Sequence, residues 1–253
     1  MTGSPALNSP AHNNSKRRNP GLVSWLVSFG ILVCFLSGAA KCEELNVHGV
    51  KLHYLKGGGG EPILLVHGLH SSAKMNWELN GIYSQLCKTH RVLALDLPGH
   101  GRSDKPEDEA AYGSAVVADI EALLDHERID NVHLVGYSIG SLAAMKFTAE
   151  HPKRVKSLTV CGMGWLKEGS RLQTFFERAG DRDGGRTPEA FMRGISDWAL
   201  TEAELKSITV PTQVIVGSQD IVNRLYVQPL HSARPDWNVV SIQAAAISRH
   251  WLT

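Results

Sequence analysis

The sequence predicts an α/β protein with a mainly parallel central sheet, helices on both of its faces and a small helical cap. Three observations carry this. Apolar runs of buried-strand length recur along the chain, at Pro62–Val66, Arg91–Leu95, Val132–Val135, Val155–Val160, Val210–Val216 and Asn238–Ile242. Stretches of helical periodicity lie between them, as with Val116, Ile120, Leu123 and Leu124. Strands that alternate with helices need crossover connections, which make a sheet parallel and cover both its faces.

Taken in order, Met1 to Pro20 is rich in Ser, Asn and Pro, carries Lys16-Arg17-Arg18, and reads as disordered. Gly21 to Leu36 is uncharged and is followed by the small residues Ser37-Gly38-Ala39-Ala40. That layout is a secretory signal peptide ending at Ala39 or Ala40, an uncleaved signal anchor, or the product of a start codon placed too early. The expected division is residues 1–40, disordered basic arm plus signal or anchor, and 41–253, the folded domain. The expected destination is export, periplasmic or extracellular, or membrane attachment through residues 21–40.

Asn46 to Tyr54 alternates around His48-Gly49 and predicts an opening hairpin, with Gly57–Gly60 as a flexible turn. Helices are predicted over Trp77–Lys88 and Ser114–Glu127. From Gly162 to Ser207 strand-like runs vanish, and short helical pieces are expected at Arg171–Arg178, Pro188–Ala199 and Glu202–Lys206, with a polar break at Gly180–Arg186. This segment, about 162–207, is the predicted cap. Its aromatics Trp165, Phe175, Phe176, Phe191 and Trp198 either line an apolar pocket or hold the cap to the body.

A chain of 253 residues with 43% apolar residues can bury one substantial core. Residues 1–40 hold three basic and no acidic side chains, so the net charge of +1 becomes −2 over 41–253. A nucleic-acid partner would require a basic stripe, and none is present. Cys34, Cys42, Cys87 and Cys161 have no spacing of a disulfide framework or zinc site, and the histidines have none of a metal centre. No metal and no cofactor is expected.

The chemistry-bearing motif is Gly136-Tyr137-Ser138-Ile139-Gly140, between an apolar strand and a helical run. A sharp strand-to-helix turn strains the serine backbone and crowds the residues two before and two after it, hence the glycines. Ser138 is the candidate nucleophile, and the Ile139 N–H at the helix start is a candidate oxyanion donor. Pro62–Val66 runs into His67-Gly68-Leu69-His70, a strand-end loop placed to donate a second N–H, that of Leu69. Arg91–Leu95 ends in Asp96-Leu97-Pro98-Gly99-His100-Gly101-Arg102-Ser103. Asp96 is expected to hold turn amides, His67 to brace the loop beside it, and His100 to be structural.

With these three motifs in this order, residues from about Leu45 to about Ile242 resemble the α/β-hydrolase-fold superfamily, and within it the serine esterases and lipases. The resemblance implies hydrolysis of carboxylic esters of small or medium acyl compounds, a small-molecule acyl substrate and no cofactor. Related proteins also include cofactor-free haloperoxidases, C–C bond hydrolases and amidases. The acid of the family stands on the loop leaving a late strand, which points to Asp220 after Val210–Val216.

The base is harder to place. The family pattern expects a Gly-x-x-His-like loop and one more helix after the last strand, yet Ile stands near the expected histidine position, at Ile247. His250 alone among the histidines follows Asn238–Ile242. Three alternatives stay open: His250 as a displaced base, an end altered by truncation or by one lost base after the Ile242 codon, and a chain that binds a ligand without catalysis.

Overall fold

The computed structural model describes residues 40–179 and 187–243. The expected N-terminal arm, nearly all of the expected signal or anchor segment, the expected break at 180–186 and His250 lie outside the described residues. Among the described residues, eight strands form one sheet: β1 (Lys41–Val47), β2 (Val50–Gly58), β3 (Glu61–Val66), β4 (His90–Leu95), β5 (Val132–Tyr137), β6 (Val155–Cys161), β7 (Thr212–Gly217) and β8 (Asn238–Ile242). Their spatial order is β1-β2-β4-β3-β5-β6-β7-β8. β1 and β2 pair antiparallel, β2 pairs antiparallel with β4, and every other pairing is parallel. The opening hairpin turns where expected, with His48 (φ 51°) and Gly49 (φ 88°) in the left-handed region that a tight two-residue hairpin demands.

Side chains alternate across the sheet, and each face has its own apolar layer. On β3, Leu64 and Val66 join the larger core with Val116 and Ile120 of α2 (Ser114–His126) and Leu142 and Phe147 of α3 (Ile139–Glu150). Ile63 and Leu65 face the other way, onto Trp77 and Tyr83. β8 lies at the sheet edge with Val240 and Ile242 exposed.

The helix expected over Trp77–Lys88 is broken. A π turn spans Lys74–Glu78, closed by Leu79 N–H donating to the Lys74 carbonyl (2.9 Å), and α1 covers only Ile82–Leu86. Gly81, at φ 79°, interrupts the helix between them. Between β6 and β7 come α4 (Arg171–Glu177), α5 (Glu189–Gly194), a 3₁₀ turn at Ile195–Trp198 and α6 (Glu202–Ser207). Among its aromatics, Trp165, Phe176, Phe191 and Trp198 are buried and tie the insertion down, whereas Phe175 is 44% exposed. The Trp198 Nε1–H donates to the Gly113 carbonyl (2.9 Å) and that of Trp165 to the Leu200 carbonyl (2.9 Å). A second π turn, Asn223–Val227, leads into α7 (Gln228–Ala233). Among the described residues, no helix is long and apolar enough to cross a membrane.

Candidate active site

β5 ends at Tyr137, and α3 begins at Ile139. Ser138 alone makes the turn, at φ 54° and ψ −120°, a conformation that costs a non-glycine residue about 1–3 kcal/mol. Surrounding packing holds it there. A Cβ on Gly136 would lie 2.3 Å from the Gly140 carbonyl oxygen, and one on Gly140 would lie 2.4 Å from that of Val66. Ser138 N–H donates to Cys161 O (2.8 Å), while the Ser141 hydroxyl donates to Gly136 O (2.8 Å) and accepts from Cys161 N–H (3.1 Å). The elbow is thus bonded to β6 from both sides. Ile139 is the first helical residue, so its N–H is one of the four that an α-helix leaves without an internal partner.

The loop after β3 reaches the elbow directly. A Cβ on Gly68 would meet the Ser138 Cβ at 3.3 Å. His67 is fully buried: its Nε2 accepts from Leu97 N–H (3.0 Å), so its Nδ1 carries the proton and donates to Gly68 O (2.7 Å). Burial pushes its pKa down, which keeps the ring neutral in this bracing role. Leu69, the expected second donor, follows in the same loop and packs half-buried against the core.

Asp96, at the end of β4, behaves as a turn anchor. Oδ1 accepts from Ala73 N–H (2.6 Å) and Oδ2 from Arg102 N–H (2.9 Å). It also accepts from Nδ1 of His53 on β2 (2.9 Å), a buried pairing. The two residues are 43 positions apart and meet only because β2 lies antiparallel beside β4. No signal within either segment marks them.

Asp220 follows β7 on a loop at the carboxyl end of the parallel strands, the same end as Ser138, Gly68 and Asp96. It is buried, and its Oδ1 accepts from Val222 N–H (2.9 Å). Tyr137, beside Ser138, feels its charge: burial first, then the Asp220 carboxylate, raises the phenol pKa. Ser138, Ile139, Leu69 and Asp220 therefore lie at the same end of the sheet, beyond the carboxyl ends of β5, β3 and β7. His250, the fifth expected site residue, lies outside the described residues.

Beside the loop after β3, His70, Ser71, Gly99, His100, Gly101 and Lys105 line a cleft of about 320 Å³. His100 is buried against Phe191 (ring centroids 4.5 Å apart), and burial pushes its pKa down to about 3. Among the described residues, no group of three or more His, Cys, Asp or Glu side chains could hold a metal ion. The thiol of Cys161 is pushed up to about 11 by burial and is a poor nucleophile at neutral pH.

Comparison with known proteins agrees with this architecture. A family model described as alpha/beta hydrolase fold matches residues 61–244. The chain is 35% identical over 128 residues to a cis-3-alkyl-4-alkyloxetan-2-one decarboxylase of Shewanella oneidensis, covering 49% of this chain and 39% of that protein. It is 34% identical over 123 residues to a 2-hydroxymuconate semialdehyde hydrolase of a Pseudomonas species, covering 47% and 42%. The matched region thus spans only about two fifths of the length of these relatives. Among solved structures, the thioesterase domain of the curacin biosynthetic pathway superposes with a TM-score of 0.66 at 20% identity, covering 83% of this chain and 94% of that one. Est816, described as an N-acyl homoserine lactone degrading enzyme, gives 0.64 at 25%, covering 79% and 92%. Sheet order, elbow and family match agree: the chain belongs to the alpha/beta hydrolase fold family, whose members similar to it include hydrolases.

Proposed function

We propose that this protein is a serine hydrolase that cleaves carboxylic esters of small or medium acyl compounds. The observation that carries the reading is the Ser138 backbone at φ 54° and ψ −120° at the head of a helix, with the Gly68 loop packed against its Cβ. That geometry sets a half-buried Ser138 between two backbone segments able to donate N–H groups.

In this mechanism the Ser138 oxygen attacks the acyl carbonyl carbon while a histidine takes the hydroxyl proton. The N–H groups of Leu69 and Ile139 hold the oxyanion of the tetrahedral intermediate, which collapses as the histidine protonates the departing alkoxide. Water then attacks the acyl-enzyme carbonyl while the histidine takes its proton, and the second intermediate breaks its bond to Ser138, releasing the acid as the histidine protonates the serine oxygen. Asp220 fixes the tautomer of the histidine and stabilises its cation. His250 is the residue assigned to that base. Each oxyanion donor is worth about 3 kcal/mol in such sites. A carbon–carbon bond hydrolase is the second reading, supported by the likeness to 2-hydroxymuconate semialdehyde hydrolase.

The test is turnover of p-nitrophenyl acetate and butyrate by the full chain and by Ser138→Ala. Loss of turnover in the variant, with unchanged thermal unfolding, agrees with the proposal. Ester cleavage by the variant near the parent rate overturns it.

A further inference from the structure

Both polar backbone groups of Gly68 are captured by side chains. Its carbonyl accepts from His67 Nδ1 (2.7 Å), and its N–H donates to Oδ1 of Asn76 (2.8 Å). Asn76 sits on the π turn Lys74–Glu78, whose i+5 closure accommodates one residue more than an α turn would. The segment is anchored at its start, where Ala73 N–H donates to Asp96 Oδ1 (2.6 Å), and by the buried Trp77.

These two bonds fix the two peptide planes that meet at Gly68. In a trans peptide the carbonyl and the following N–H point in opposite directions. Holding Gly68 C=O on the His67 ring therefore turns the Leu69 N–H away from that ring. The preceding plane, 67–68, is fixed by Asn76. Glycine has the widest choice of φ and ψ of any residue, so a loop hinged on glycine beside Ser138 keeps one orientation only if both planes are restrained.

We infer that Asn76 is a positioning residue which, through the Gly68 N–H and together with His67, aims the Leu69 N–H at the oxyanion. It acts through the backbone and touches no substrate. Loss of the Asn76 acceptor frees the 67–68 plane and lets the Leu69 donor wander, which weakens transition-state stabilisation while leaving ground-state binding intact. The inference rests on the ester-hydrolase reading above.

The experiment compares parent, Asn76→Ala and Asn80→Ala for p-nitrophenyl butyrate kinetics, for inhibition by phenylboronic acid, which forms a tetrahedral adduct on an active serine, and for thermal unfolding. Asn80 controls for the segment, since its side chain bonds the Asn76 carbonyl and the Ile82 N–H without reaching Gly68. For Asn76→Ala we expect kcat to fall by about 10-fold or more, KM to stay within about 2-fold, and boronate affinity to fall in step with kcat. Asn80→Ala keeps all three. Asn76→Leu retains the side-chain volume without the acceptor and repeats the test if the alanine variant folds poorly. Parental kcat and boronate affinity in the Asn76 variants, or a rise in KM alone, overturns the inference. A parent chain that neither cleaves the ester nor binds the boronate defeats the ester-hydrolase reading, and this inference with it.

Discussion

Gly140→Ala perturbs the contact on which the elbow depends. The new Cβ would lie 2.4 Å from Val66 O, 2.5 Å from His67 O and 2.8 Å from Val66 C, where ordinary contact begins at 3.4 Å. Relief requires the start of α3 and the end of β3 to separate by about 1 Å. Neither side yields easily: β3 is paired with β4 on one edge and β5 on the other, and α3 buries Ile139, Leu142, Ala143 and Phe147. Overpacking against side chains costs about 1–3 kcal/mol, and against main chain we expect the upper end, about 3 kcal/mol. For a chain of this size that lowers the unfolding midpoint by ~6–12 °C. The same separation moves the Gly68-Leu69 loop off Ser138, and a 1 Å misplacement can cost about 100-fold in turnover. Gly59→Ala is the control, because nothing lies within 4 Å of its Cβ, and it should stay within about 0.5 kcal/mol of the parent. Urea unfolding of the three proteins reads the difference directly. A Gly140→Ala chain as stable as the Gly59→Ala chain would refute the close-approach reasoning.

Two further predictions concern pH. Asp119 on α2 is buried, and burial raises its carboxyl to about 7. The folded chain therefore keeps a proton that the unfolded chain, with a carboxyl near ~3.9, gives up. Its stabilising contribution is full below about pH 4 and is lost as pH rises towards about 7. Asp119→Asn should accordingly stabilise the protein at pH 8, by up to ~4 kcal/mol, and change little at pH 4, as measured by urea unfolding at both values. A difference independent of pH would count against this. His100, pushed down to about 3, has the opposite slope: the unfolded chain takes up its proton first, near ~6.5. Its contribution is full above that value and is lost as pH falls, at no more than ~1.4 kcal/mol per pH unit. His100→Phe, which preserves a ring against Phe191, should flatten the stability profile between pH 6.5 and 4.

What the sequence made legible follows from where the constraint lies. The elbow could be read because its sterics fall within five consecutive residues: Gly136 and Gly140 are each required by backbone atoms closer than any Cβ tolerates. Strand runs could be read because parallel strands buried on both faces are continuously apolar, and α2 because one face repeats at helical spacing. Asp96 as an anchor of turn amides, and His67 as a brace, also follow from local turn chemistry. The His53–Asp96 pair and the Asn76–Gly68 bond could not be read in the same way. Each joins side chains whose proximity is created by the fold, across the β2–β4 pairing in one case and by a π turn in the other. The break in the first helix did carry a signal, Asn80-Gly81, which the helical pattern around it obscured.

The proposed mechanism requires Ser138 to be an activated nucleophile. Intact-mass analysis of the full chain after treatment with a fluorophosphonate, followed by peptide mapping, tests it without knowledge of the substrate. An activated Ser138 takes one equivalent of label, and the Ser138→Ala chain takes none. An unlabelled parent, or label that persists when Ser138 is replaced, would contradict it.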